Sequence, residues 1–248
     1  MTFWAPRITY ARGGFSMPAD TSTYGLGEQS QQRIVSMLTA GLDKAVRLQQ
    51  PMVSSHVLKV RGWHPNGTPG DVIRSLEKQY LATVSGSGAA VGASAVAPGI
   101  STPVTIALAG GEIVASLNAT MLYLLAVADV HGVALTDLER RRTLLLAVLL
   151  GQTGSDAVGK VAETTGKHWA KKIVQAVPME SIKKVNQVLG RNFVTKYGTK
   201  QGVLVLGKAV PFGIGIAIGG GANFLIGRAN VAAARKAFGP PPANFADA

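Results

Sequence analysis

The sequence predicts an all-α protein, a compact multi-helix bundle built around glycine- and proline-rich apolar helical hairpins. Three observations lead there. No stretch of the 248 residues alternates apolar and polar side chains with the two-residue period of half-buried strands. Several stretches instead repeat apolar residues at three- and four-residue spacing, the mark of a helix with one buried face. Two long runs, Leu81 to Gly111 and Val203 to Ile226, are too apolar for loops and too rich in glycine and proline for one uninterrupted helix each.

Residues 1–26 mix glycine, proline, serine and threonine without a period and read as an irregular N-terminal arm. From Gly27, the recurrence of Ile34, Leu38, Ala45 and Leu48 predicts an amphipathic helix that Pro51 ends. His56 to Gly70, containing GWHPNGTPG, reads as a loop in which His64 is incidental. Asp71 then offers a helix N-cap to a stripe of Val72, Ile73, Leu76, Tyr80, Leu81 and Val84 that runs into Gly86. The 31 uncharged residues from Leu81 to Gly111 have the length of a bilayer span, but Pro98-Gly99 and Pro103 divide them. Gly88 and Gly92, like Gly215 and Gly219, have the spacing that lets two helix backbones approach closely, which favours a tightly packed pair inside the fold.

Pro103 to Val130 predicts a central helix. The next begins at Thr136 or Asp137, with Asp137 and Glu139 in the first turn, where the helix dipole favours acids, and Gly151 as its terminator. From Ser155 a basic amphipathic helix runs to Pro178, and the chain continues from Met179 into the second hairpin. The expected organisation is a helical domain over 27–238 and a flexible tail over 239–248. Ala109-Gly110-Gly111 and Ile218-Gly219-Gly220 each follow a proline-broken apolar run and lead into a helix, an echo that suggests two related halves.

Composition excludes several chemistries. There is no cysteine, so disulfides and thiolate sites are absent, and His56, His64, His131 and His168 form no metal-binding spacing. No cofactor is expected. The net charge is +12, and ten basic residues against two acidic ones between Lys160 and Lys208 carry eight of that excess. Lys167, Lys171, Lys172, Lys183 and Lys184 are the candidates for contact with an anionic surface. Nucleic acid is the poorer partner, because only Trp169, Phe193 and Tyr197 accompany these lysines. The N-terminal MTFWAPRITYARGG lacks the apolar core of a signal peptide, which leads to the expectation of a cytoplasmic protein peripheral to the inner face of the cell membrane.

The segment from Gly154 to Gly159-Lys160 has the spacing of a phosphate-binding loop. Val161 stands where that loop needs a hydroxyl, and the run before it has the phase of a helix, so the match is a decoy. Glu112, Asp129 and Asp137 offer the alternative of an acidic metal cluster in a hydrolase. Glu112 and Lys208 are lone ions in apolar runs, and burial demands a partner for each. The expected pairing is with one another or with Arg228.

The C-terminal GKAVPFGIGIAIGGGANFLIGRANVAAARKAF resembles the end of the EcsC family, in which a lysine, a proline and a glycine-rich apolar hairpin precede an asparagine and an alanine-rich helix. The central AGGEIVASLNATMLYLLAVADVHGVALTDLERRRTLLLAVLLG is similar to that family's middle. The likeness spans roughly Leu81 to Phe238 and is densest at Lys208, Pro211, Gly215, Gly219, Gly220 and Asn223. Arg228 and the long N-terminal arm depart from the family pattern. The resemblance implies a helical, membrane-associated protein with a membrane transporter as partner, and brings no catalytic residues. The function expected is non-enzymatic binding of a membrane surface, lipid or hydrophobic ligand, as a transporter accessory or scaffold, with the glycine hairpin and the lysine face acting together. A metal-dependent hydrolase and a self-assembling, homo-oligomeric structural protein are the alternatives.

Overall fold

The structure is a computed structural model that describes residues 28–48, 50–94, 102–163, 168–208 and 214–245. Among these residues it is all-α, with nine helices: α1 (Glu28–Val46), α2 (Gln50–Gly62), α3 (Pro69–Ser94), α4 (Thr102–Val130), α5 (Leu138–Leu150), α6 (Gln152–Val161), α7 (Trp169–Gln175), α8 (Met179–Lys208) and α9 (Ile214–Phe238).

Helix starts and stops follow local chemistry. Asp137 accepts hydrogen bonds from the backbone N–H groups of Glu139 and Arg140 and caps α5, and Gly151 at φ 66° ends it. Gly239 at φ 85° ends α9 in the same left-handed way. At the start of α3, Thr68 precedes the first helical residue. Its backbone N–H and hydroxyl bond the Asp71 carboxylate at 2.8 and 2.7 Å, while the Asp71 N–H returns a 3.3 Å bond to the Thr68 hydroxyl. Thr68 is therefore the cap, and Asp71, the third residue of the helix, closes the capping box.

Two predicted boundaries move. Pro51 sits in the first turn of α2, where its missing N–H costs nothing, so residues 50–62 are helical where a loop was expected from His56. Val53, Val57 and Val60 supply its buried face. The predicted basic helix after Ser155 is two helices, because Glu163 and His168 both take positive φ and turn the chain between α6 and α7. Residues 239–245, expected as a flexible tail, are irregular, and Phe245 packs against the core beneath the Arg61 guanidinium, 3.8 Å from the ring centroid.

The bundle is organised by α3, which makes its most extensive contact with α9 and a further long contact with α4. Asn223 bonds Val84, Asn230 bonds Tyr80 and Arg235 bonds Glu77, so α9 ascends as α3 descends. The seam is close, since a Cβ on Gly227 would lie 3.0 Å from both Leu81 and Val84. α4 and α5 form the core together: residues 120–128 of α4 and 143–150 of α5 are almost wholly buried. α6 turns back on α5 so tightly that a Cβ on Gly154 would overlap the Ala147 backbone.

Two buried polar devices fix the packing. Asn230 Nδ2 donates to the Tyr80 hydroxyl at 2.9 Å, and the Thr120 hydroxyl donates to the Ser116 carbonyl at 2.7 Å. The 3.1 Å bond between them must then run from Tyr80 to Thr120, giving a one-directional chain across α9, α3 and α4. The second device is Arg141, only 5% exposed. It donates to the carbonyls of Leu135 (2.6 Å), Val46 (3.4 Å) and Leu48 and to the Gln50 side chain (3.2 Å), clamping the corner between α1 and α2.

Candidate functional site

Helix directions place the glycine-rich segments together. The C-terminal half of α3 lies beyond Val84, and the first turns of α9 lie before Asn223, so the Val84–Asn223 bond sends both to one end of the bundle. The start of α4 joins them, because Glu112 accepts a 2.6 Å bond from the same Asn223 amide. α8 reaches that end too: Tyr197 and Ile226 share a groove, and the helix runs on to Lys208. Three helix ends with almost no charge in their sequence thus converge with the end of α8, which carries Lys196, Lys200 and Lys208.

Beneath them lies a polar floor. Asn223 bridges Glu112 to the Val84 carbonyl, and with Tyr80, Ser116 and Asn230 they surround a cavity of about 50 Å³, the space of one or two water molecules. Beside it, α5, α8 and α9 enclose an apolar groove of about 280 Å³ lined by Leu149, Leu225, Ile226 and Ala229. Lys196 lines the same groove, its ammonium 3.0 Å from the Leu149 carbonyl and 5.3 Å from the Tyr197 ring.

The outer face of α9 carries Phe224 at 40% and Leu225 at 68% exposure, followed one turn later by Arg228. The Arg228 guanidinium is exposed and sits 5.9 Å from the Phe224 ring, so of the expected partners of Glu112 it is not the one in contact. Along α9 the order is uncharged first turns, then two exposed apolar side chains, then Arg228, with Lys196 beside it on α8. Gly215, Gly219 and Gly220 fall in the first turns of α9. Pro211, Lys167 and the side chain of Lys208 lie outside the described residues, as does the Glu112–Lys208 pairing.

The lysine face is not part of this end. Lys171 and Lys172 are exposed on α7, which packs near the C-terminus of α9, where the Lys236 carbonyl accepts the His168 N–H. Lys183 and Lys184 are exposed in the opening turns of α8. Because α8 is one continuous helix from Met179 to Lys208, about 36 Å separates Lys184 from Lys208. The glycine hairpin and the lysine cluster therefore occupy opposite ends of the molecule, against the expectation that they act together.

The three carboxylates do not converge. Glu112 and Asp129 stand about 25 Å apart on α4, and Asp137 is committed to capping α5. Burial alone lifts the Asp129 carboxyl above its usual range. Among the described residues no group of three histidine or acidic side chains is placed to hold a metal ion. Gly154 to Lys160 are helical in α6, which turns their backbone N–H groups inward and leaves no phosphate cradle. One stretch among the described residues, Gly111–Val130, is long and apolar enough to cross a membrane, and 61% of its most apolar window is buried inside the bundle.

Phe224 and Leu225 were passed over in the sequence as part of a uniformly apolar run. Arg228 and Arg235, seven residues apart, mark the outward face of α9, and counting back three and four from Arg228 falls on Leu225 and Phe224. No protein-family profile, no curated protein and no solved structure matches this chain.

Proposed function

We propose that this is a non-enzymatic, peripheral membrane protein that seats the apolar end of its bundle in one leaflet of an anionic membrane, with the groove beneath Leu225 receiving a lipid chain. The observation that carries the proposal is the order along α9: uncharged turns, exposed Phe224 and Leu225, then Arg228, with Lys196 beside it on α8. An interfacial protein needs that order, with apolar surface among acyl chains and cations at the phosphates.

Dimensions favour insertion without crossing. The turns of α3 after Val84 and those of α9 before Asn223 each rise about 15 Å, half of a ~30 Å hydrocarbon core. Burying the exposed parts of Phe224 and Leu225 contributes about 2 kcal/mol, roughly thirtyfold in partitioning. The resemblance of the C-terminal segment to the EcsC family supports the same reading, as does its implied place at the inner face of the cell membrane.

Co-sedimentation with phosphatidylserine-containing vesicles, against vesicles of phosphatidylcholine alone, is the test. The expected result is binding to the anionic vesicles that weakens with salt and falls more than tenfold in Leu225→Glu, whose melting temperature stays unchanged. No association with anionic vesicles at low salt overturns the proposal.

A further inference from the structure

A second open cleft lies at the other end of the bundle. It has a volume of about 410 Å³, within the roughly 300–1,000 Å³ of small-molecule sites, between α3, the last turns of α4 and α9, and residues 239–241. Arg235 reaches it twelve residues along α9 from Asn223, so about 18 Å of helix separates the cleft from the polar floor under the apolar end.

Its polar lining is rich in donors and poor in acceptors. Arg74, Arg235, His131, His168 and Tyr123 all line it, Arg74 giving one Nη2 bond to the Asp71 carboxylate at 2.5 Å and keeping its other N–H groups. The acid among them is Glu77, 5% exposed, and Arg235 occupies both of its oxygens, with Nε on Oε1 at 2.7 Å and Nη2 on Oε2 at 2.6 Å. That two-point grip fixes the guanidinium plane and leaves Nη1 without an acceptor among the described residues, on a side chain still 64% exposed. Tyr123 is 96% buried, its ring stacked on Tyr80 with centroids 4.8 Å apart, and its hydroxyl bonds no described residue. The residue lines the cleft, so this hydroxyl at the edge of a buried ring is open to a ligand there. Neither the His131 nor the His168 imidazole has a hydrogen-bond partner among the described residues.

The apolar lining is flat at one point. His131 stacks on Phe238 with centroids 5.3 Å apart, next to Ile73 and Val127. Burial holds the His131 imidazole below its usual range, so it presents a neutral face with one N–H.

We propose that this cleft is a binding site for a small organic oxyanion, a carboxylate or phosphate ester with a flat apolar body, bound through Arg235, Arg74 and the Tyr123 hydroxyl and packed against Phe238 and Ile73. Donor groups left over once Glu77 and Asp71 are satisfied select an acceptor-rich ligand, and the Phe238 side gives its body a surface to lie on. The site is independent of membrane seating, since it opens at the end that does not carry Phe224 and Leu225.

Proton–nitrogen NMR of the four histidines in the full chain, titrated with benzoate, phenyl phosphate and inorganic phosphate at constant ionic strength, tests this. His56 on α2 and His64, bonded to Ser75 at 2.7 Å, lie outside the cleft and serve as internal controls. Benzoate or phenyl phosphate is expected to shift His131 and His168 saturably and leave His56 and His64 in place, and which of the two binds tighter distinguishes a carboxylate from a phosphate site. Tyr123→Phe and Arg74→Gln, each with an unchanged melting temperature, should each weaken binding about tenfold, the worth of one charge-assisted hydrogen bond. Shifts spread equally over all four histidines, no saturable shift with either aromatic anion, or undiminished binding in both variants overturns the site. Equal binding of inorganic phosphate overturns the apolar body.

Discussion

Tyr80→Phe removes one oxygen from the middle of a chain whose direction is fixed, and the structure sets the size of the effect. Tyr80, Thr120 and Asn230 are 4%, 1% and 3% exposed, so bulk water does not reach them, and the small cavity beside Tyr80 and Asn230 holds a water or two at most. Without the hydroxyl, Asn230 Nδ2 loses its acceptor at 2.9 Å and Thr120 loses its donor at 3.1 Å. Stranding one buried donor costs about 1–3 kcal/mol and losing the second bond about 1 kcal/mol, so the variant should lose about 2–3 kcal/mol. For a chain of this size that lowers the melting temperature by roughly 5–10 °C. Thr120→Val, nearly equal in shape, strands the Tyr80 hydroxyl and should cost a similar amount. The double variant Tyr80→Phe/Thr120→Val loses their shared bond only once, so its cost should fall about 1 kcal/mol short of the sum. Urea unfolding followed by circular dichroism measures all three, with a constant denaturant slope as the check that the denatured state is unchanged. Strictly additive costs, or a Tyr80→Phe loss below about 0.5 kcal/mol, would refute the chain.

Gly154→Ala should destabilise by about 3 kcal/mol, because its Cβ meets the α5 backbone at Ala147 and no side chain can yield there; thermal melting within a degree or two of the parent counts against that contact. Arg141→Lys should lose about 2–4 kcal/mol in urea unfolding, since one ammonium cannot reproduce bonds to Leu135, Val46, Leu48 and Gln50 from a single position. Burial holds His131 and His56 below the ordinary histidine value of 6.5, so the unfolded chain takes up protons first. Stability should be flat above about pH 7 and fall as pH drops through 6.5 towards the folded values, and an NMR titration placing His131 at or above 6.5 would contradict it.

What the sequence made legible was local chemistry. Asp137 and Gly151 delimit α5 as read, because a carboxylate before a helix and a glycine after it act within a turn of themselves. The apolar stripe of α3 is likewise buried at Val72, Leu76, Tyr80 and Val84. α2 escaped notice because its buried face is three valines in a stretch of otherwise average polarity, and a proline in the first turn resembles a proline after the last. The break between α6 and α7 depends on positive φ at Glu163 and His168, residues that periodicity treats as ordinary helix formers. The buried chain was invisible for a different reason. Tyr80 and Asn230 lie 150 positions apart, and nothing in the neighbourhood of either announces the other. The separation of the lysine cluster from the glycine hairpin was hidden because nearness in sequence says nothing of distance when a 30-residue helix lies between.

The Arg141 clamp has a consequence for how the chain is made. Its partners at Val46, Leu48 and Gln50 leave the ribosome 91–95 residues earlier. At about 5–20 residues per second, α1 and α2 exist for roughly 5–20 s with their corner carbonyls unclaimed, longer than either helix needs to form. The first two helices are therefore held as an unfinished surface until the fifth arrives, and the interval is the period in which a chaperone would find them open.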